Sequence, residues 1–162
     1  MTSPRIRIGF GFDVHPLLEG HPFYLGGVLL ESQKGAFGHS DADVLIHAIC
    51  DALLGAANLR DIGFHFSNQD PRWKGMRSTH FLEEVVQILT QNQYSIGNID
   101  ATLCLEAPKI NPHIPSMQKI LGKCMGIPEN DISIKATTNE KLGFVGREEG
   151  VTAYAVALIY GA

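Results

Sequence analysis

Apolar and polar residues alternate strictly near the start of the chain, over residues 5–15. The apolar positions are Ile6, Ile8, Phe10, Phe12 and Val14. Because successive side chains of a strand point to opposite faces, this period of two predicts a β-strand whose apolar face lies in the core. The opposite face carries two glycines followed by Asp13 and His15. These two polar side chains therefore point away from Val14, and the glycines leave room beside them.

The longest apolar run, residues 39–56, predicts a buried helix. Its apolar residues fall on nearly every side of a helix, so we expect burial all round rather than an amphipathic surface helix. Ser40 with Asp43 three residues later has the pattern of an N-cap and its acidic partner. Asp43, His47 and Asp51 follow one another at intervals of four and form a polar stripe. Such a stripe needs partners, since an unpaired buried polar group costs a few kcal/mol.

The rest of the chain predicts strands and helices that alternate in one domain. We expect a strand or a hairpin over 21–30, helices over 78–91 and up to Gly126, and strands over 95–106, 131–138 and 151–160. Both faces of the final strand are largely apolar, so one can cover the core and the other a partner chain. Because the chain has no repeats or linker-like tracts, we interpret residues 1–162 as a single α/β (α+β) domain. Its predicted architecture is a two-layer sandwich of a mixed β-sheet backed by helices.

Composition narrows the classes of function. The chain has 162 residues, of which 44% are hydrophobic and 19% charged, as is usual for a globular domain. Its formal net charge of -4 gives no basic surface for nucleic acid. Cys50, Cys104 and Cys124 lack a C-x-x-C spacing, which favours free thiols in a reducing compartment. No apolar run has the length of a signal peptide or a membrane span, so we expect a cytoplasmic protein that binds no membrane.

The D-x-H pair at the end of the first strand is a candidate metal site. Asp13 and His15 alone are a weak signal, but His47 of the buried helix could join them. Two ligands from a strand and one from a helix would leave a fourth position open, as in catalytic zinc sites. The alternative from the residues alone is a capping Asp43, a core His47 held by hydrogen bonds and a solvated Asp51.

The glycine-rich stretch 135–150 could also carry chemistry. At and just after a strand end it places Thr137, Thr138, Glu140, Lys141 and Arg147. Hydroxyl and backbone N–H groups in such a position can bind phosphate, and a carboxylate can bind a hard cation. An ordinary surface turn is the alternative interpretation.

The stretch 58–76 shows little periodicity. A structureless loop of that length in a compact domain is more often functional than not. Asp61, Asn68 and Asp70 lie near glycine there and suit the binding of hydroxyl groups or a sugar. Solvated turn residues are again the alternative.

Taken in this order and spacing, the motifs resemble the family of 2-C-methyl-D-erythritol 2,4-cyclodiphosphate synthases of the non-mevalonate isoprenoid pathway. The resemblance runs from about Ile6 to Ile159. It rests on GFDVH at 11–15, HSDADVLIHAICDALLGA at 39–56, DIG at 61–63, APK at 107–109, PHIP at 112–115 and KATTNEKLGFVGREEG at 135–150.

The resemblance implies an activity and an assembly. It implies a phosphorus-oxygen lyase that converts 4-CDP-2-C-methyl-D-erythritol 2-phosphate to 2-C-methyl-D-erythritol 2,4-cyclodiphosphate and releases CMP. The 2-phosphate of the substrate would be the nucleophile, so the enzyme needs cations and hydrogen-bond donors rather than a nucleophilic side chain. The family also implies a homotrimer with active sites at the subunit interfaces.

Individual residues take roles through the same resemblance. It implies Zn²⁺ bound by Asp13, His15 and His47, and Mg²⁺ or Mn²⁺ bound between Glu140 and the substrate diphosphate. The implied catalytic residues, which stabilise the transition state, are His39 and Thr138. The implied substrate contacts are Asp13, Val14, His15, His39, Ser40, Asp61, Ile62, Gly63, Phe66, Asn68, Asp70, Ala107, Pro108, Lys109, Ile110, Thr137, Thr138, Asn139, Glu140, Phe144 and Arg147.

Two places depart from the family pattern. Residues 66–70 read FSNQD where the family often has FPDTD, and Asn139 stands where a hydroxyl residue is common. These departures concern loop contacts with the substrate and leave the metal ligands unchanged.

Two other classes of function compete with the synthase. A zinc-dependent phosphohydrolase would use the same open metal site to activate water. A non-catalytic isoprenoid-diphosphate-binding module would tolerate the loss of His39, Thr138 or Glu140, and all three are present.

Overall fold

The computed structural model describes residues 5–161. Its elements in chain order are β1 (Arg5–Glu19), β2 (Phe23–Leu25), β3 (Val28–Leu30), β4 (Lys34–Ala36), α1 (Val44–Ala56), α2 (Ile62–His65), α3 (Ser78–Gln91), β5 (Tyr94–Cys104), α4 (Ile114–Met125), β6 (Ile132–Thr137), α5 (Gly143–Gly146) and β7 (Gly150–Gly161). Short 3-10 turns lie at Pro71–Trp73, Asn111–His113 and Glu129–Asp131. Each strand and each longer helix predicted from the hydrophobic pattern is present.

Five strands form one mixed sheet in the order β4-β1-β7-β5-β6. β5 and β6 are parallel, and the other neighbours are antiparallel. β2 and β3 form a separate hairpin, which is one of the two alternatives predicted for residues 21–30. α1 packs on β1 and β7, while α3 and α4 extend the helical layer over β5 and β6. The fold is therefore the predicted α+β sandwich of helices on a mixed sheet.

α1 is buried on nearly every side, as its apolar run predicts. The predicted N-cap at Ser40 is wrong, because the helix begins at Val44 and Asp43 caps it by accepting from the Ile46 N–H at 3.1 Å. Ala42 has a φ of 55°, so the chain turns just before Asp43 and no helix can continue back to Ser40.

The prediction that the apolar face of β1 lies in the core is wrong. Ile6, Ile8 and Phe10 are 62%, 71% and 64% exposed. The face that carries Gly9 and Gly11 packs on α1 instead. A Cβ atom on Gly11 would lie 1.9 Å from the Ala48 carbonyl oxygen, and one on Gly9 would lie 2.0 Å from that of Ala52. The two backbones approach so closely that only glycine fits between them.

The exposed face of β1 continues onto β7. Phe12 and Val14 are 43% and 42% exposed on β1, and Tyr154 and Val156 are 39% and 43% exposed on the neighbouring strand. The Phe12 and Tyr154 rings pack with their centroids 5.1 Å apart. The other face of β7 is buried, as predicted. An uncovered apolar surface thus lies on the side of the sheet opposite the helices, and we call it the open sheet face.

The two stretches expected to be loops contain short helical segments. Asp61 caps α2 by accepting from the Phe64 N–H at 2.8 Å, and Asp70 caps the 3-10 turn at Pro71–Trp73 by accepting from the Arg72 N–H at 3.0 Å. α5 lies inside the predicted glycine-rich turn. Segments of three or four residues are too short to show a hydrophobic period, so the sequence pattern could not reveal them.

The three cysteines are free thiols. Cys50 is fully buried in α1, and this burial raises the pKa of its thiol well above the usual value. Between Arg5 and Gly161, none of the helices has both the length and the apolar character required to cross a bilayer.

Gly11→Ala should destabilise the fold, because the new Cβ atom would overlap the α1 backbone. We expect the free energy of unfolding to fall by about 3 kcal/mol. Gly55→Ala is the matched control, since a Cβ atom there meets nothing within 4 Å and alanine is favoured in a helix by about 1 kcal/mol. Urea denaturation of both variants measures the difference. Equal stability of Gly11→Ala and the parent chain would contradict the close packing of β1 on α1.

Candidate metal centre and active site

The face of β1 that packs on α1 carries Asp13 and His15, and His47 lies at the end of the first turn of α1. Asp13 Oδ2 is 2.9 Å from His15 Nε2 and 3.0 Å from His47 Nδ1. The two imidazole nitrogens are 3.2 Å apart. The structure therefore brings together the three residues predicted to bind a metal, with one donor atom from each within 4.8 Å of the others.

The Asp13 carboxylate interacts strongly with both imidazoles of the triad. Burial alone would raise the pKa of Asp13, but hydrogen bonds and positive charge from His15 and His47 outweigh it and lower that pKa to about 2. Burial would lower the pKa of His47, and the Asp13 carboxylate reverses this and raises it. One ionised oxygen and two imidazole nitrogens are a donor set typical of zinc sites. The residues present thus fit the metal that the family resemblance implies.

Each imidazole is also held at its outer nitrogen. His15 Nδ1 lies 3.2 Å from the Phe37 carbonyl oxygen and donates to it. His47 Nε2 lies 2.8 Å from Ser78 Oγ and 3.3 Å from Ser40 Oγ. The inner nitrogens, His15 Nε2 and His47 Nδ1, face Asp13. Metal-binding histidines usually have this arrangement, with one nitrogen for the ion and the other hydrogen-bonded to the protein.

A cavity of about 320 Å³ adjoins the triad. Its lining residues are His15, His39, Ser40, His47, Ile62, Gly63, Phe66, Asn68, Trp73 and Phe81. Trp73 and Phe81 were not predicted as site residues. Their rings are 5.7 Å apart, and Phe81 packs 5.0 Å from Phe66, so the three form an aromatic wall. Aromatic residues at these positions are equally compatible with the hydrophobic core, so the sequence pattern could not identify them as site residues.

A second cavity of about 410 Å³ lies at the ends of β5 and β6. It is lined by Leu105, Glu106, Pro108, Lys109, Ile110, Asn111, Pro112, Ala136, Thr137 and Thr138. This cavity thus combines predicted substrate contacts at 108–110 with the hydroxyls of Thr137 and Thr138, which are predicted to bind phosphate. Within the described part of the chain, this cavity and the one beside the triad have no lining residue in common.

The turn after β6 presents Thr138 and Glu140. Thr138 Oγ1 donates to Glu140 Oε1 at 3.1 Å. Glu106 accepts from the backbone N–H groups of Asn139 and Lys141 at 3.0 and 3.3 Å and thereby stabilises the turn. Glu140 has a φ of 52° and is exposed. Sequence reasoning missed Glu106, because nothing in the local pattern links it to a turn more than thirty residues later.

Other predicted residues make contacts outside the triad. Val14 points to the open sheet face, on the opposite side of β1. Arg147 pairs with Glu149 at 2.9 Å, and Asp70 pairs with Arg72 at 2.6 Å. Their substrate contacts, and those of Ala107 and Phe144, stay predictions.

The polar stripe of α1 divides into two roles. Asp43 and Asp51 bind backbone, and Asp51 accepts from the Ile62 N–H at 2.8 Å. His47 is the one residue of the stripe that belongs to the triad.

Comparison with known proteins places these features in one family. Residues 6–160 match the model of the YgbB family. The 2-C-methyl-D-erythritol 2,4-cyclodiphosphate synthase of Cytophaga hutchinsonii is 65% identical over 96% of this chain and 98% of its own length. The CDP complex of IspF from Plasmodium falciparum has a TM-score of 0.85 and 32% identity, covering 99% of both chains. The bifunctional IspDF of Campylobacter jejuni has a TM-score of 0.94 and 36% identity over 99% of this chain, which spans 43% of that longer protein.

His47→Ala should abolish cation binding at the triad and leave the fold intact, because alanine is a good helix residue and two ligands hold an ion poorly. We expect near-stoichiometric Zn²⁺ in the parent protein and almost none in the variant, measured by metal analysis after dialysis. His113→Ala removes an imidazole remote from the triad and serves as the control. Full Zn²⁺ occupancy in His47→Ala would exclude the proposed ligand set.

Proposed function

The chain belongs to the YgbB family and has the cyclodiphosphate synthase function of its relatives, and we propose that it acts by metal-assisted intramolecular phosphoryl transfer. It converts 4-CDP-2-C-methyl-D-erythritol 2-phosphate to 2-C-methyl-D-erythritol 2,4-cyclodiphosphate and CMP in the non-mevalonate route to isoprenoids. This makes it a phosphorus-oxygen lyase. The observation that carries the mechanism is the triad of Asp13, His15 and His47 beside a cavity with polar and aromatic walls.

The two cavities suit the two ends of this substrate. We assign the methylerythritol phosphate to the cavity beside the triad, where Ser40, His39 and Asn68 offer hydrogen-bond donors to hydroxyl and phosphate oxygens. We assign the cytosine to the cavity lined by residues 105–112, whose extended backbone offers N–H and C=O groups. The CDP complex of the Plasmodium falciparum relative supports a cytidine nucleotide as ligand.

The central difficulty of the reaction is charge. The substrate's 2-phosphate attacks the β-phosphorus, and two unit negative charges about 4 Å apart repel by about 4 kcal/mol at an effective dielectric constant of about 20. Asp13, His15 and His47 would hold Zn²⁺, and Glu140 would hold Mg²⁺ or Mn²⁺ together with the diphosphate. When bound, these cations neutralise the phosphate charge and act as Lewis acids.

The protein side chains orient the reactants and exclude water. His39 and the Thr138 hydroxyl donate hydrogen bonds to phosphate oxygens whose charge grows in the transition state. The aromatic wall of Phe66, Trp73 and Phe81 lines the cavity beside the triad and would limit contact between water and a bound substrate. Because the nucleophile belongs to the substrate, the site needs no nucleophilic serine or cysteine.

We propose a homotrimer in which each active site lies between two subunits. The open sheet face supports an interface, since large exposed apolar patches mark association surfaces. The absence of shared lining residues between the two described cavities supports a site completed by a neighbour. In that arrangement the cytosine cavity of one subunit would face the triad of the next.

We propose a cytoplasmic location for this enzyme. All three cysteines are free, and Cys124 donates its thiol proton to the Glu83 carboxylate rather than pairing with another sulfur. Free thiols persist in a reducing compartment.

Turnover in ¹⁸O-labelled water separates the synthase from a zinc-dependent phosphohydrolase. Attack by the substrate's own phosphate should give CMP and the cyclic diphosphate with no label in either product. A water nucleophile would place one ¹⁸O atom in a phosphate product. Mass spectrometry of the products from the first turnovers, with Zn²⁺ and Mg²⁺ present, measures this directly, and incorporation of label would overturn the cyclising mechanism.

Phe10→Glu should disrupt the trimer, because it places a charge in the centre of the open sheet face. We expect light scattering at micromolar concentration to give a trimeric mass for the parent chain and a lower mass for the variant. Gln87→Glu adds the same charge on the exposed side of α3 and should keep the parent mass. A monomeric parent chain would refute the proposed assembly.

A further inference from the structure

Asp41 is a nearly buried carboxylate with no role in the mechanism above. Only 4% of its side chain is exposed. Oδ2 accepts from Arg77 Nε and from the backbone N–H of Ser78, both at 3.0 Å. Oδ1 accepts from the Asp43 N–H at 3.3 Å and from the Ser78 hydroxyl. Since each of these neighbours is a donor, Asp41 acts purely as an acceptor.

Arg77 fixes Asp41 from the outer side. Its Nη2 donates to the Gly27 carbonyl at 2.8 Å, and its guanidinium lies 4.0 Å from the centre of the Tyr24 ring. The arginine is thus held by the β2–β3 hairpin while it pairs with Asp41. Because arginine keeps its proton at all ordinary pH values, the carboxylate always faces a positive charge.

Ser78 connects Asp41 to the metal ligand His47. Ser78 is the first residue of α3, and its side chain is fully buried. Its hydroxyl has a single proton, which it donates to Asp41. Ser78 Oγ also lies 2.8 Å from His47 Nε2, so the only bond that it can make there is to accept a proton from that nitrogen.

This arrangement favours a proton on Nε2 of His47, whereas the Asp13 carboxylate, 3.0 Å from Nδ1, favours a proton on Nδ1 when no ion is bound. A neutral imidazole with its proton on Nε2 has its lone pair on Nδ1, and Nδ1 is the atom that faces Asp13. On the premise of the cation-binding function above, we propose that Asp41 and Ser78 are positioning residues for the metal site. They hold the Nε2 proton of His47 and so present the Nδ1 lone pair to Zn²⁺.

Ser40 offers a competing hydrogen bond to the same nitrogen. Its Oγ lies 3.3 Å from His47 Nε2, longer than the Ser78 contact, and already accepts from the Ala42 N–H at 3.3 Å. Its own proton is free, so Ser40 would favour the opposite tautomer by donating to an unprotonated Nε2. The two serines therefore make opposite predictions for the proton on His47.

Asp41→Asn tests the arrangement while it preserves the shape of the side chain. Its amide NH₂ is least favourable in place of Oδ2, which faces two fixed donors, Arg77 Nε and the Ser78 N–H, whereas Oδ1 faces one at a longer distance, the Asp43 N–H. The NH₂ therefore faces the Ser78 hydroxyl, which would turn and donate to His47. We expect the His47 proton to move to Nδ1, where it competes with the cation.

Two measurements on each protein give the result. Nitrogen-15 NMR of metal-free protein labelled on histidine reports the tautomer at a pH where titration shows that His47 is neutral, with Asp13→Ala added to each protein for this measurement alone, because the Asp13 carboxylate competes for a proton on Nδ1. His47→Ala identifies the His47 signals by their absence. Competition with a chelating dye gives the affinity for Zn²⁺ alone. We expect the Nε2–H tautomer in the parent chain, a shift to Nδ1–H in Asp41→Asn, and Zn²⁺ affinity about 10- to 100-fold weaker in that variant.

Matched variants separate this role from general stability. Asp100→Asn removes a carboxylate whose partner is Lys135, on a different part of the sheet, and should keep the parent tautomer and affinity. In Ser78→Ala we expect a mixture of both His47 tautomers and Zn²⁺ binding about 10-fold weaker. This variant replaces Asp41→Asn in the test if Asp41→Asn does not fold. Ser40→Ala should keep the Nε2–H tautomer.

Three outcomes would overturn the positioning role. They are an Nδ1–H tautomer in the parent chain, parent tautomer and affinity in Asp41→Asn, and a larger effect of Ser40→Ala than of Ser78→Ala. A parent protein that holds the Nε2–H tautomer but binds no Zn²⁺ would contradict the proposed metal function instead, so the two failures are distinguishable.

Discussion

The close approach of α1 to β1 determines where the other parts of this protein lie. Gly9 and Gly11 remove two side chains from the strand, and the helix backbone occupies the space in which those side chains would lie. Asp13 and His15 are the next two residues on the same face of β1. Asp13 lies within hydrogen-bond distance of both His15 and His47. A wider spacing between strand and helix would separate these three side chains, so the packing that stabilises the core also forms the candidate metal centre.

The position of α1 along its axis is set at its first residues. Asp43 is fully buried and accepts from the N–H groups of Gly26, Gly27 and Ile46 at 3.0, 2.7 and 3.1 Å. Burial raises the pKa of this carboxyl, and the three donors act in the opposite direction. Because His47 follows one turn later, the bonds that fix Asp43 to the hairpin also fix the height of the imidazole above the sheet.

The hydrophobic pattern predicted the strands and longer helices correctly, but it could not assign the faces of β1. An alternation with period two shows that two faces differ and leaves open which one meets the helices. Apolar side chains usually face the core, so the face with Ile6, Ile8 and Phe10 was assigned to it. Gly9 and Gly11 on the other face were the local sign that a helix packs closely there. The triad was predictable because aspartate and histidine are typical metal ligands. Asp41 and Ser78 were not, since distant segments bring them to His47 and serine has many roles.

The orientation of β1 also places the candidate metal site close to the opposite face of the sheet, where the proposed interface lies. At the end of β1, Asp13 and His15 point to α1, while Val14 between them is 42% exposed on the open sheet face. Successive residues of one strand thus serve the ligand set and the proposed interface. A subunit packed against Val14 would lie only the thickness of the sheet from the triad. Gly9 and Gly11 therefore have two consequences. They let α1 approach closely enough to complete the ligand set on one face, and they leave the apolar side chains of the other face available to a partner.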